Sequence, residues 1–250
     1  MEKWEGRGSL IIISQLRQFQ PTLQRALDLL FPPQCTVCKR SGTILCSTCF
    51  TGIRPLLPPR CYRCSYPLSP NGHCQSCYAH PLRLDGLRAA SQYQEPLRSC
   101  IHAFKYDGKI RLAEALGSLL IQTYMAHKML ADMIIPIPLH SQRQQARGYN
   151  QASLLAKVCA TQLGIPFNDT IVTRVRPTST QALLKPVERQ QNVAGAFLCT
   201  STLATEMLPG RRILIVDDVC TTGATLEACA APLFAAGALS VWGLVLARPH

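Results

Sequence analysis

Between Asp28 and Asp85 the chain has no acidic residue at all. Over its 250 residues it has 14 Asp and Glu against 26 Lys and Arg, a formal net charge of +12. That imbalance argues for an anionic partner. Long hydrophobic runs are missing as well. No stretch approaches the ~18–20 apolar residues that cross a bilayer. Near the N-terminus, Leu10–Ile13 is too short for the ~7–15 residue core of a signal peptide. No membrane insertion is expected, and the sequence reads as cytoplasmic. Hydrophobic residues make up 47% and charged residues 16%, an ordinary globular balance. The length suits one large domain or two smaller ones.

Cysteine is abundant, with 13 residues, and it is not scattered. Eight cysteines form four C-x-x-C pairs: Cys35 and Cys38, Cys46 and Cys49, Cys61 and Cys64, Cys74 and Cys77. In a reducing compartment such pairs bind metal far more often than they form structural disulfides. One C-x-x-C turn aims two thiolates at an ion, and a second turn completes a tetrahedral site suited to Zn²⁺. Eight thiolates make two structural sites. Sequential pairing is the simplest, and interleaved pairing satisfies the same count. A redox motif, an iron–sulfur centre and unligated thiols are the competing readings. A redox C-x-x-C usually occurs once, at a helix start beside a strand. Each zinc with four thiolates carries about −2, so two sites lower the formal +12 to about +8. Lys39, Arg40, Arg54, Arg60 and Arg63 can serve to offset the thiolates, which weakens the reading of this segment as a plain DNA-binding patch.

The organisation follows from texture. Residues 1–30 read as a helical lead-in, with Leu16, Phe19, Leu23, Leu27 and Leu30 at spacings of three and four, interrupted by Pro21. Residues 31–81 are rich in Pro, Gly and Cys, too small for a full apolar core, and read as a double zinc ribbon with two similar halves. From Asp85 to residue 250 the texture is α/β. Strands are predicted at Leu87–Tyr93, Asp132–Pro138, Phe167–Arg174, Arg212–Val216 and Ser240–Leu246. Helices are predicted at Ile110–Met129, at Asn150–Leu163 with Asn150 as N-cap, and at Ala224–Ala236 before Gly237. The alternation predicts a mostly parallel sheet flanked by helices.

The segment Arg211–Thr225, RRILIVDDVCTTGAT, carries the strongest chemical signal. An apolar strand ends in Asp217 and Asp218, and in open α/β sheets ligands bind at the carboxyl ends of strands. Thr221, Thr222, Gly223, Ala224 and Thr225 then lead into a helix. Small residues let the backbone curl so that its N–H groups converge on an anion. Two carboxylates beside that cradle would repel a bare phosphate. They suit sugar hydroxyls, or a Mg²⁺ reached through water. Phosphate plus diol means a ribose phosphate. A ligand-free capped helix needs only one of these residues.

This string resembles the fingerprint of the type I phosphoribosyltransferases, with Cys220 where an aliphatic residue is usual. FKYDGK at Phe104–Lys109, PIPLHSQRQQARGYNQ at Pro136–Gln151 and TRVRPTSTQALLKPVERQQNVAGAF at Thr173–Phe197 narrow the resemblance to the ComF/GntX family. The resemblance implies a type I phosphoribosyltransferase-like fold after a zinc-ribbon domain. It implies binding of phosphoribosyl pyrophosphate (PRPP) with Mg²⁺. It places the pyrophosphate loop at His140–Tyr149, where Arg143 and Arg147 are suitable cations. It likens Thr178–Asn192, which includes Arg189, to the loop that closes over PRPP. Lys105 is a candidate for reaching a phosphate, and with Asp217 and Asp218 it makes up the expected catalytic set.

The family also implies roles in natural competence and DNA utilisation. Three functions follow: a phosphoribosyltransferase with an unidentified acceptor, a non-catalytic reader of single-stranded DNA, and a PRPP sensor acting through a protein such as a DNA-uptake motor. Nothing in the sequence reads as a nucleobase pocket.

Overall fold

The computed structural model describes residues 32–177, 192–199, 204 and 206–249. The lead-in helix expected over 1–30 lies outside the described residues.

Four parallel strands form the main sheet in the order β1 (Gly86–Gln92), β6 (Ser240–Arg248), β5 (Arg212–Val219) and β2 (Met133–Pro136). Gly86 pairs with Trp242, Arg212 with Ser240, and Met133 with Ile213. Each central strand is buried on both faces, which is why each reads as a continuous apolar run. Ile213 and Ile215 point into one core with Val241 and Val245; Leu214 and Val216 point into another with Leu244 and Leu246.

The second core is covered by α3 (Leu97–Tyr106), α4 (Leu112–Ala126) and α6 (Gln151–Leu163). Phe104, Leu116 and Leu155 are fully buried there, and truncating Phe104 to alanine would cost about 3–5 kcal/mol. The first core is covered by α7 (Ala224–Ala235), through Leu226, Cys229 and Leu233. Helix α6 starts as expected, with Asn150 Oδ1 accepting the Ala152 N–H at 3.0 Å. Gly237, just past α7, takes a left-handed φ of 92°.

Three elements differ from the sequence reading. Helix α3 had no counterpart in it. The segment after β2, expected as a loop, contains a short helix, α5 (Ser141–Arg147), capped by His140 and ended by Gly148 at φ 82°. The strand expected over Phe167–Arg174 is only β3 (Val172–Arg174), which pairs antiparallel with β4 (Phe197–Cys199) outside the main sheet. Phe167 makes a single bridge to Ile134 on the edge strand β2. Tertiary context overrides strand propensity here.

The cysteine-rich segment, with two short helices α1 (Ser47–Thr51) and α2 (Gln75–Ala79), is packed onto the sheet. It covers the free edge of β1. Leu56 donates its N–H to Ala90 O at 3.2 Å, Leu87 donates to Arg63 O at 2.7 Å, and Ser65 Oγ donates to Leu87 O at 2.8 Å. Ile53 belongs to the core under α3 and α4, whereas Leu56 packs on the other core. The chain therefore crosses the β1 edge between these two residues. No helix among the described residues is long and apolar enough to cross a membrane.

Candidate functional site

Strand β5 runs to Val219, three residues beyond the predicted end at Val216. Asp217 and Asp218 are therefore still in pleated register and leave the strand on opposite faces. Asp218 turns toward α3, where Lys105 Nζ lies 2.7 Å from Asp218 Oδ1. The Asp218 side chain is 4% exposed and that of Lys105 21%. Burial works against the Lys105 ammonium, but Asp218 outweighs it and the net direction is up. Asp218 Oδ2 is buried with no hydrogen-bond partner, although buried carboxylate oxygens are normally satisfied.

Asp217 is half-buried and faces the other side, near Arg174. Its Oδ1 accepts the Asp218 N–H at 2.8 Å. Burial, reinforced by the Asp218 charge, pushes Asp217 up to about 7. Burial lowers the Arg174 guanidinium, Arg143 lowers it further and Asp217 opposes both.

The loop after β5 curls through Gly223 at φ 97° and enters the 12-residue helix α7. Thr222 Oγ1 accepts the Ala224 N–H at 3.4 Å. Around the loop lies a hollow of about 20 Å³, bounded by Asp217 and residues 219–226, with Thr222, Gly223 and Ala224 on its wall. This is the geometry of a helix-terminus anion cradle. It opens beside a cavity of about 470 Å³ lined by Asp217, Asp218, Thr221 and Thr225. Lys105, Arg143, Arg147 and Arg174 line it as well. That volume suits a small molecule. Arg147 donates to Gln151 and lies 5.4 Å over the Tyr106 ring. Arg143, Arg147, Lys105 and Tyr106 also wall an adjoining hollow of about 350 Å³.

Of the residues singled out from sequence, Arg189 lies outside the described residues. Residues 178–191 of the expected closing loop lie outside them too, and the other residues expected to hold the ligand border either the cavity or the loop hollow. Sequence reasoning missed Arg174, Tyr93 and Tyr106, which also line the cavity. Arg174 stands in the quoted string TRVRPTST, but nothing local tells it apart from Arg176. Burial raises the Cys220 thiol to about 11, so it stays protonated and is a poor nucleophile.

The eight paired cysteines form two groups, Cys35, Cys38, Cys46 and Cys49, and Cys61, Cys64, Cys74 and Cys77. In each group the sulfurs all lie within 4.8 Å of one another, so the pairing is sequential. Three sulfur separations, Cys38–Cys46 at 3.6 Å, Cys64–Cys74 at 3.5 Å and Cys61–Cys77 at 3.8 Å, match the edge of about 3.8 Å that a tetrahedron with Zn–S bonds of about 2.3 Å requires. The donor set fits zinc. The two halves repeat in detail. Lys39 and Ser65 both follow the first pair with a left-handed φ, of 63° and 60°. Cys46 and Cys74 both cap five-residue helices. His73 belongs to neither group.

Comparison with known proteins bears on both halves. The double zinc ribbon domain family matches residues 26–78, and the phosphoribosyl transferase domain family matches residues 150–249. Competence protein F of Haemophilus influenzae is 36% identical over 81% of this chain and 90% of its own length. The chain belongs to the ComF/GntX family. The DNA utilization protein YhgH of Salmonella typhimurium is 33% identical over 88% of the chain and 99% of its own length. Competence protein ComFC of Bacillus subtilis is 28% identical over 92% and 90%. Among solved structures, the glutamine PRPP amidotransferase of B. subtilis overlaps 58% of this chain and 30% of its own at 19% identity, with a TM-score of 0.39. That likeness is too distant to carry an argument. In this ComF/GntX chain, the two four-cysteine groups are structural zinc sites of the double zinc ribbon.

Proposed function

We propose that the cavity binds PRPP, or a nucleotide with the same ribose 5-phosphate group, together with Mg²⁺. On this reading the protein is a phosphoribosyltransferase-family member that works on DNA taken up or used by the cell. The carrying observation is the unsatisfied Oδ2 of Asp218, a residue lining the same cavity as Thr221 and Thr225 of the cradle. A buried acceptor without a donor invites a sugar hydroxyl or a cation-bound water. Residues 221–225 offer N–H groups to the 5-phosphate. Asp217 and Asp218 accept from the ribose diol. Arg143 and Arg147, which line the same cavity, would meet the diphosphate end, and Lys105, paired with Asp218, would lie between the two ends. Asp217 and Asp218 would hold Mg²⁺, which would supply charge neutralisation for the diphosphate. The same cations would steady a leaving pyrophosphate, and positioning and electrostatics would provide most of any rate enhancement.

A second reading, a non-catalytic reader of single-stranded DNA, is favoured by the names of the relatives, competence and DNA utilization proteins. The two readings separate in one assay series. Pyrophosphate release from PRPP that depends on an added base or amine supports an enzyme. Release that stays at background across purines, pyrimidines and simple amines sinks it. DNA affinity that is steep in salt and persists in Asp217→Asn/Asp218→Asn places DNA on the basic surface outside the loop.

A further inference from the structure

The phosphate loop leans on the second cysteine group. Just beyond Cys77, Leu82 lies against Gly223: a methyl group built on Gly223 would sit 2.8 Å from Leu82 Cδ2. The next residue, Arg83, donates its N–H to Glu227 Oε1 at 3.2 Å, in the first turn of α7. Arg248, the last residue of β6, approaches from the other side. It is 3% exposed, donates to the Cys64 carbonyl oxygen and lies 4.8 Å over the Tyr66 ring. Its neighbour Ala247 accepts, at 3.0 Å, the N–H of Cys220, the residue that opens the loop. Cys64, Leu82, Cys220 and Leu226 share one core. The first group is placed otherwise. Its flanking residues Val37, Ile44, Leu45 and Phe50 pack on the opposite core.

A buried guanidinium depends on its acceptors. The Cys64 carbonyl belongs to the turn that the metal site holds rigid. Loss of that turn would remove the acceptor and leave the Arg248 side chain unheld at the end of β6, beside the Ala247 carbonyl to which Cys220 is bonded. It would also loosen the Leu82 wall behind Gly223.

We propose that Leu82 and Arg248 are positioning residues that make the second cysteine group part of the phosphate site. Metal loss from that group then disorders the loop and weakens ribose-phosphate binding, whereas metal loss from the first group does neither. The ligand half of this inference rests on the proposed function; the loop half does not.

The test uses the full chain and two readouts beside zinc content: amide hydrogen exchange of residues 220–225 without ligand, and the Kd for PRPP with Mg²⁺. Cys74→Ser/Cys77→Ser should lose one zinc, speed exchange of the loop tenfold or more and weaken PRPP at least tenfold. Cys46→Ser/Cys49→Ser should also lose one zinc, yet leave both readouts within twofold. Arg248→Gln and Leu82→Ala should keep both zincs and still speed loop exchange, with Arg248→Lys closer to the parent. These three decide the matter if a cysteine variant fails to fold. Equal responses to the two cysteine variants, or unchanged loop exchange in Arg248→Gln and Leu82→Ala, would overturn the proposal. Loop exchange that responds as stated in a chain that binds no PRPP supports the coupling and refutes the ligand reading alone.

Discussion

Cys35–Cys49 and Cys61–Cys77 fold alike, yet they lie on opposite faces of one sheet. The first half braces the face covered by α3 and α4. The second braces the face where α7 begins and the phosphate loop turns. Asp217 and Asp218 divide the same way, one toward Arg174 and the other toward Lys105. Two motifs built on the same paired C-x-x-C pattern thus acquire different duties from the face on which they land. The carboxyl edge of β5 is where the two faces meet.

The largest test of that difference is metal loss. Cys64 is fully buried in the core that holds the loop, and Cys38 is exposed. Either change to serine should lower zinc from two per chain to one. Cys64→Ser should cost roughly 5 kcal/mol or more, since it adds a core defect to a lost metal. Cys38→Ser should cost clearly less in urea unfolding. Equal losses would erase the distinction between the faces.

The acidic pair gives the next effect, of opposite sign on each face. Asp218→Ala leaves the Lys105 ammonium without its partner and should cost about 3–5 kcal/mol in urea unfolding. Asp217→Asn should be neutral or stabilising above pH 7. Its folded-state pKa is raised from 3.8 to about 7, so the native state favours the protonated acid. The contribution of Asp217 to stability therefore falls as pH rises from the lower value to the higher, and asparagine removes that loss. Destabilisation of similar size in both variants would contradict the assigned environments.

Binding should show the same group. An ionised carboxylate accepts sugar hydroxyls more strongly than the protonated acid does. PRPP affinity should rise about tenfold from pH 6 to pH 8, centred near 7, and Asp217→Asn should flatten the profile. An effect of comparable size is expected at Gly223. Alanine there meets both a φ of 97° and Leu82 at 2.8 Å. It should cost about 1–3 kcal/mol of stability in urea unfolding. Adding Leu82→Ala should recover only the steric part.

Local signals were readable in the sequence. C-x-x-C spacing announces its chemistry within four residues, and DDVCTTGAT within nine. The α/β alternation and the Asn150 cap are local as well. What escaped is what long-range contact decides. Lys105 reads as an ordinary lysine until helix α3 brings it to Asp218. The α3 pattern Leu97, Cys100, Ile101 and Phe104 has helical spacing but no capping signal before it, because Pro96 stands at the N-cap. Arg248 meets a carbonyl 184 residues away. Only the folded sheet separates Arg174 from Arg176.

The central claim is that the loop at Asp217–Thr225 holds a ribose 5-phosphate. Its most direct test is calorimetric titration of the zinc-loaded full chain with PRPP and Mg²⁺ at pH 8, repeated with ribose 5-phosphate. The account predicts saturable one-to-one binding of both, tighter for PRPP, and loss of both in Asp217→Asn/Asp218→Asn. No binding of either ligand, or binding unchanged in that double variant, would contradict it.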